Sequence, residues 1–239
     1  MTNTSPIFEI SQLKVNYGFR CAVDDLSLSQ KPGVSLGLLG LNGAGKTSTI
    51  RTLLGMVRPR AGQVKVLGQK PGSVKVFKHI GFAPEEGTPP EYLSGEEYLG
   101  FVAELRISDR EERKRQVMEL MEGFELPAKK RISEYSKGLR RKVILAQAFM
   151  GKPDFLILDE PLNGLDPIFI LRLRQRIESY VAAGGTALIS SHILAEIEKT
   201  CHEVAILHLG KLVCLSSVDA LMKEFGSIET AFAKKIGKA

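Results

Sequence analysis

The sequence predicts an α/β domain with a mainly parallel sheet, an accessory antiparallel sheet and an inserted helical subdomain. Three observations carry that prediction. Short apolar runs alternate with helix-length segments, the pattern of strands buried on both faces by helices. One such run, Val34–Leu39, leads directly into the glycine-rich stretch Gly40-Leu41-Asn42-Gly43-Ala44-Gly45-Lys46-Thr47. From about 94 to 150 the strand pattern gives way to repeated helix-start signals. The chain has 239 residues, enough for one large domain carrying an insertion. We therefore expect a single domain over 1–239 with the helical insertion at about 94–150.

Taken in order, Ile7–Val15 and Val34–Leu39 read as strands, and a helical stretch follows the glycine-rich loop to about Met56. Val64-Lys65-Val66, bounded by Gly62 and Gly68, reads as a half-exposed strand of the accessory sheet. Pro84, Pro89 and Pro90 break any regular pattern ahead of the insertion. Ser94-Gly95-Glu96-Glu97 is a capping box, with Tyr98, Phe101, Val102 and Leu105 on the apolar face behind it. Ser108-Asp109-Arg110-Glu111 repeats the signal ahead of Val117, Leu120, Met121 and Phe124, and a third helix starts near Ser136. Beyond the insertion, Phe155–Leu158, Thr186–Ile189 and Glu203–Leu209 read as strands. Asp166-Pro167 supplies an N-cap and a first-position proline to a helix that turns Ile170, Leu173, Ile177, Tyr180 and Val181 inward. There is no internal repeat and no low-complexity tract.

Bulk properties exclude several classes. At 44% hydrophobic and 25% charged residues the composition is that of a globular protein. No stretch approaches the roughly 18 apolar residues of a membrane span, and Met1 to Pro6 lacks the basic and apolar run of a secretory signal. The expected place is cytoplasmic, with any membrane association passing through a partner. Cys21, Cys201 and Cys214 have neither disulfide nor metal-ligand spacing and read as small buried hydrophobes. The net charge of +6 suits an anionic ligand, a membrane surface or nucleic acid without choosing among them.

The run Gly40 to Thr47 fits the pattern G-x-x-x-x-G-K-[ST] between a strand and a helix, the context of a P-loop NTPase core. Glycines let backbone N–H groups curl around phosphate oxygens, and the helix behind them adds free donors and its positive dipole end. Lys46 then reaches the β- and γ-phosphates, the Thr47 hydroxyl coordinates Mg²⁺, and Ser48 continues the cradle. Phe155-Leu156-Ile157-Leu158-Asp159-Glu160 is an apolar strand ending in two acids. In an open parallel sheet the carboxyl ends of strands form the ligand crevice. There Asp159 holds Mg²⁺ through water and Glu160 orients or deprotonates the attacking water.

The ordered set of phosphate loop, Tyr135-Ser136-Lys137-Gly138-Leu139, Phe155 to Glu160, Asn163-Gly164-Leu165-Asp166 and Ser190-Ser191-His192 resembles the ATP-binding subunit of ATP-binding cassette (ABC) transporters over essentially the whole chain. The resemblance implies ATP and Mg²⁺ as ligands, and a head-to-tail dimer with a second ABC ATPase subunit, identical or closely related. In that dimer Ser136 and Gly138 of one copy face the γ-phosphate held by the other. It also implies that His192 contacts the same phosphate, that Asp166 lies in the interface loop, and that Tyr17 stacks on adenine. The implied partner is a membrane permease, with the chain peripheral on the cytoplasmic face of the cell membrane. Leu41 stands where the family usually has proline, and Lys137 and Leu139 replace a glycine and a glutamine. Glu85, in Phe82-Ala83-Pro84-Glu85-Glu86, stands where many members carry a glutamine near Mg²⁺. These variants, and the ending Ile228-Glu229-Thr230-Ala231-Phe232, are similar to the exporter branch of drug, lipid and sodium extrusion.

Two alternatives differ in class. A soluble cassette acting on ribosomes or DNA typically has paired cassettes or a long coiled-coil insertion, and this chain has neither. A phosphoryl-transferring kinase leaves the Ser136 segment and His192 without a role. The basic cluster Lys129, Lys130, Arg131, Lys137, Arg140, Arg141 and Lys142 reads first as a solvated helix face, second as attraction for the partner's nucleotide. Without interleaved aromatics it does not read as a nucleic-acid site, and no nucleic-acid partner is expected.

Overall fold

The computed structural model describes residues 5–237. It opens on the hairpin β1 (Phe8–Tyr17) and β2 (Arg20–Gln30). β2 escapes a sequence reading because its inward period slips. Val23, Leu26, Leu28 and Gln30 are buried, and Asp25 at φ 56° carries the shift between the first two. β3 (Ser35–Leu39) is buried along its whole length and feeds the glycine loop and α1 (Lys46–Leu53). β4 (Ala61–Val66) pairs antiparallel with β1, giving the accessory sheet the order β2-β1-β4. Its half-exposed character is as the sequence predicts.

A single helical turn, α2 (Val74–Phe77), precedes β5 (Ile80–Ala83). β5 has only four residues, too few to show a period, and one of them is Gly81. A Cβ there would overlap the Ala148 carbonyl oxygen, so only glycine permits that approach of strand and helix backbones. Four helical pieces follow: α3 (Gly95–Arg106), α4 (Arg110–Gly123), a 3₁₀ turn (Ile132–Glu134) and α5 (Lys137–Phe149).

The Ser94 capping box forms, with Ser94 Oγ accepting from Glu97 N at 3.1 Å and Glu97 Oε2 accepting from Ser94 N at 2.7 Å. The face of α3 is rotated from the expected one. Leu99 and Ala103 are buried in the core while Phe101 and Leu105 are exposed. Tyr98 and Val102 pack at its edge, with the Tyr98 hydroxyl donating to Gln147 Oε1. α4 is capped by Asp109, not Ser108: Asp109 Oδ1 accepts from Glu112 N at 2.7 Å, because a carboxylate is at least as good a cap as a hydroxyl. Val117, Leu120, Met121 and Phe124 are buried as predicted.

β6 (Phe155–Asp159) is followed by α6 (Pro167–Ala182), capped by Asp166 through a 2.8 Å bond from Phe169 N. Its buried stripe is Phe169, Leu173, Ile177 and Val181. Ile170 is only half-buried, since the stripe starts one position earlier than predicted. β7 (Thr186–Ser191), α7 (Leu194–Thr200), β8 (Glu203–His208), β9 (Lys211–Ser217), α8 (Val218–Phe225) and α9 (Ile228–Ile236) complete the chain.

The main sheet has the order β5-β6-β7-β3-β8-β9, with only β9 antiparallel to its neighbour. One of its faces shares a core with the accessory sheet and α1, around Phe8, Leu26, Ile50 and Phe155. Its other face shares a core with α3 to α9, around Phe124, Leu145, Leu158 and Phe232. Of the cysteines, Cys201 is buried and Cys214 half-buried. Cys21 corrects the expectation: it is exposed, at the start of strand β2.

Candidate functional site

The register of the parallel strands brings the candidate residues to one rim. Asp159 lies opposite Ser190 across β6 and β7, and Leu39 lies opposite Ser191 across β3 and β7. The glycine loop, the acid pair and the Ser190–His192 segment therefore leave the sheet side by side, at its carboxyl edge.

The loop turns into α1 at Gly45, which has φ 104° and whose Cβ would press to 2.7 Å from the Ala22 carbonyl oxygen. A side chain fails there on both counts. α1 has no side-chain cap and no acid in its first turn, so its N-terminal donors and dipole face the cleft unopposed. That cleft, of about 370 Å³, is lined by Tyr17, Leu41 to Ser48, Glu85 and Glu160, with Arg20 and Ala22 of β2 beside them. Gly40 sits below it, its carbonyl accepting from Lys46 Nζ at 2.7 Å. Tyr17 is 44% exposed, at the end of β1 where the hairpin turns.

Lys46 and Glu160 are both nearly buried, and Lys46 Nζ lies 3.2 Å from Glu160 Oε1. The other carboxylate oxygen, Oε2, meets His192 Nδ1 at 2.8 Å and His192 N at 3.3 Å. A carboxylate partner assigns the proton to Nδ1. Glu160 itself has φ 46°, a left-handed conformation costing about 1–2 kcal/mol for a residue with a Cβ. It is held there from both sides. Its N–H reaches Ser190 Oγ at 2.9 Å and Ser190 O at 3.2 Å, and its carbonyl accepts from Arg141 Nη2 at 2.9 Å.

Burial pushes the Asp159 carboxyl above the usual range, opposed by hydrogen bonds from Ser190 and Thr47 and helped by the charge of Glu160. The Thr47 hydroxyl bonds the Asp159 carboxylate, which is too deep to line the cleft, while Thr47 and the exposed Glu85 both line it.

Ser136, Gly138 and Asp166 do not line that cleft. Ser136 caps α5, accepting from Leu139 N at 3.2 Å. A Cβ on Gly138 would lie 3.5 Å from the Gly164 carbonyl, so the Ser136 and Asp166 segments neighbour each other on a separate surface. Asp166, whose carboxyl is held low first by the Phe169 N–H, lies 3.9 Å from Lys142 Nζ.

A model of the ABC transporter family matches residues 23–163, a span that takes in the phosphate loop, the Ser136 segment and the acid pair. The chain belongs to the ABC transporter family. An uncharacterised ABC transporter ATP-binding protein of Nostoc is 40% identical over 82% of this chain and 60% of its own length. A bacitracin transport ATP-binding protein of Bacillus licheniformis is 36% identical over 92% of this chain and 72% of its own. A solved ATP-binding subunit of an ABC transporter superposes with TM-score 0.89 at 29% identity, covering 96% of this chain and 99% of that one. The chain thus spans less than two thirds of the Nostoc relative's length.

Some residues of the cassette's rim were not legible in its sequence. Arg20 and Ala22 follow from β2, whose slipped period hid it. Ser190 belongs to the Ser190-Ser191-His192 motif, but its grip on Asp159 and Glu160 follows only from the β6–β7 register. Arg141 and Lys142 correct the solvated-face reading of the basic cluster, since both are buried. Lys142 Nζ lies 2.8 Å from Glu125 Oε2 and 3.9 Å from the centre of the Phe169 ring.

Proposed function

We propose that this chain is the ATP-hydrolysing subunit of a membrane exporter, bound to the cytoplasmic face of the membrane through a separate permease. It is a single cassette domain whose inserted helices run from about 94 to 150. The observation that carries the reading is the chain of contacts from Lys46 through Glu160 to His192 beside the glycine loop. A cation, a carboxylate and an imidazole in contact there suit a γ-phosphate and its attacking water, which supports the reading.

In this reading the loop from Gly40 to Ser48 cradles the phosphates, Lys46 neutralises them, and Tyr17 packs on the base. Glu160 accepts a proton from water, and its second oxygen keeps the His192 ring turned toward the phosphate. The Thr47 hydroxyl, Asp159 and Glu85 are hard oxygen donors, few in number, which fits Mg²⁺ held jointly with nucleotide phosphates. Bound there, Mg²⁺ supplies charge neutralisation at the β- and γ-phosphates. Ser136, Gly138 and Asp166, away from the cleft in their own chain, complete the site of a second subunit in a head-to-tail dimer. The relative described as a bacitracin transport protein supports transport, and one described as a Nod factor export protein, 36% identical over 90% of this chain, supports its outward direction; the cargo is the permease's to select.

Replacing Glu160 with Gln is expected to lower ATP turnover by about 100-fold or more, the range of a lost general base, while ATP binding persists. Turnover at the native rate in Glu160→Gln would remove the carboxylate from this role.

A further inference from the structure

We propose that Arg141 is a positioning residue for hydrolysis, a buried clamp that fixes the backbone carrying Glu160 and Glu85 from the same helix that Ser136 caps. Its side chain is nearly buried, and burial pushes its guanidinium below the usual arginine range without discharging it. Its two terminal nitrogens donate to four carbonyls, while the buried Nε–H has no partner among the described residues. Nη1 donates to Pro84 O and, at 3.1 Å, to Glu85 O. Nη2 donates to Asp159 O and Glu160 O, each at 2.9 Å. These carbonyls belong to the exits of β5 and β6, two neighbouring strands that pair in register from Ile80↔Phe155 to Ala83↔Leu158. Nothing else among the described residues bonds the Glu160 carbonyl from outside its own turn.

The geometry gives the clamp a specific task. Glu160 has left-handed backbone, so its carboxylate direction depends on what holds its two peptide groups. Ser190 holds the N–H side, from the sheet. Arg141 holds the carbonyl side, from α5. Arg141 lies five residues after Ser136, just over one helical turn, so a shift of the front of α5 reaches the acid through a single side chain. Ser136 would serve the partner's nucleotide and Glu160 this chain's own, which makes Arg141 a direct side-chain link between the two sites. Sequence alone hides it inside a run of three cations, Arg140-Arg141-Lys142. Arg140 points elsewhere, to Glu91 at 2.7 Å.

The inference rests on the assignment of Glu160 as the water-activating group, and the test separates the two. In the full-length chain, Arg141→Met keeps most of the volume and removes all donors. Arg141→Lys keeps the charge but cannot span four carbonyls. Steady-state ATPase is measured for both, with binding of a fluorescent ATP analogue as the second readout. Arg141→Met is expected to lose about 10- to 100-fold in kcat, the scale of a misplacement near 1 Å, with KM and analogue affinity within about 3-fold. Arg141→Lys is expected to fall between it and the native enzyme, and carries the test if the Met variant does not fold. In a Glu160→Gln background Arg141→Met should cost nothing further, because two residues acting as one unit are not additive. Native kcat in either variant, an equal loss of analogue binding, or a full additional loss in the double variant would each overturn the clamp. If Glu160→Gln is inactive while Arg141→Met turns over normally, only the clamp fails; if Glu160→Gln turns over normally, the functional reading itself fails.

Discussion

Two regions of this cassette are rich in positive charge and use it in opposite ways. Residues 56–79 contain Arg58, Arg60, Lys65, Lys70, Lys75 and Lys78 and no acid, so the whole formal excess of +6 resides there and the rest of the chain is balanced. All six are exposed and none is in an ion pair among the described residues. The start of α5 carries Arg140, Arg141 and Lys142 in a row, and there two of three are buried with specific partners. The difference lies in what each segment is next to. β4 is an edge strand, where an outward lysine costs nothing and discourages pairing with another chain. α5 is wedged between the sheet and α6, where a cation persists only if carbonyls or carboxylates surround it.

The largest expected effect breaks the buried side. Arg141→Met takes the side-chain donor from four inward carbonyls, of which Glu160 O keeps only Asn163 N at 3.3 Å, and urea unfolding should show a loss of about 3–5 kcal/mol, about 1 kcal/mol or more for each buried acceptor stripped. Lys142→Met should cost less, about 1–2 kcal/mol, because Glu125 is half-exposed and keeps its contact with Arg172 while the ring contact is lost. On the exposed side, Lys65→Gln and Lys75→Gln should each stay within about 0.5 kcal/mol in the same measurement. A loss above 1 kcal/mol at either position would erase the distinction. The smallest effect concerns pH. Glu112 is held down to about 2, first by its bond from Arg115 and then by Gln116. A lowered carboxylate stabilises above its ordinary value near 4.5 and loses that contribution as pH falls toward about 2. Glu112→Gln should therefore flatten the acid limb of the stability curve. Asp159 runs the other way: its raised carboxyl disfavours the folded state as pH rises through the window above its ordinary value of 3.8.

The same contrast explains what sequence could and could not show. The phosphate loop, the acid pair and the caps at Ser94, Ser136 and Asp166 were readable because each is local: a glycine, an acid or a hydroxyl at fixed offset from an apolar run. β2 and β5 were not, one because Asp25 breaks its alternation and the other because four residues show no period. The inward face of α3 differs from the expected one, since Phe101 and Leu105 are as apolar as Leu99 and Ala103 and only packing decides among them. Arg141 could not be told from its neighbours because its partners are carbonyls 18 to 57 residues away, and every residue type has one.

The contact of Gly81 with Ala148 has a mechanical meaning for α5. Strand and helix touch there backbone to backbone, with no side chain between them to slide or rotate. The rear of α5 is therefore a fixed bearing on the sheet, and its front, at Ser136, is the free end of a lever roughly 18 Å long at 1.5 Å per residue. A displacement of about 1 Å at that end amounts to a tilt of only about 3°. Movements too small to reorganise the core are thus large enough, at the tip, to make or break a hydrogen bond of the Ser136 hydroxyl.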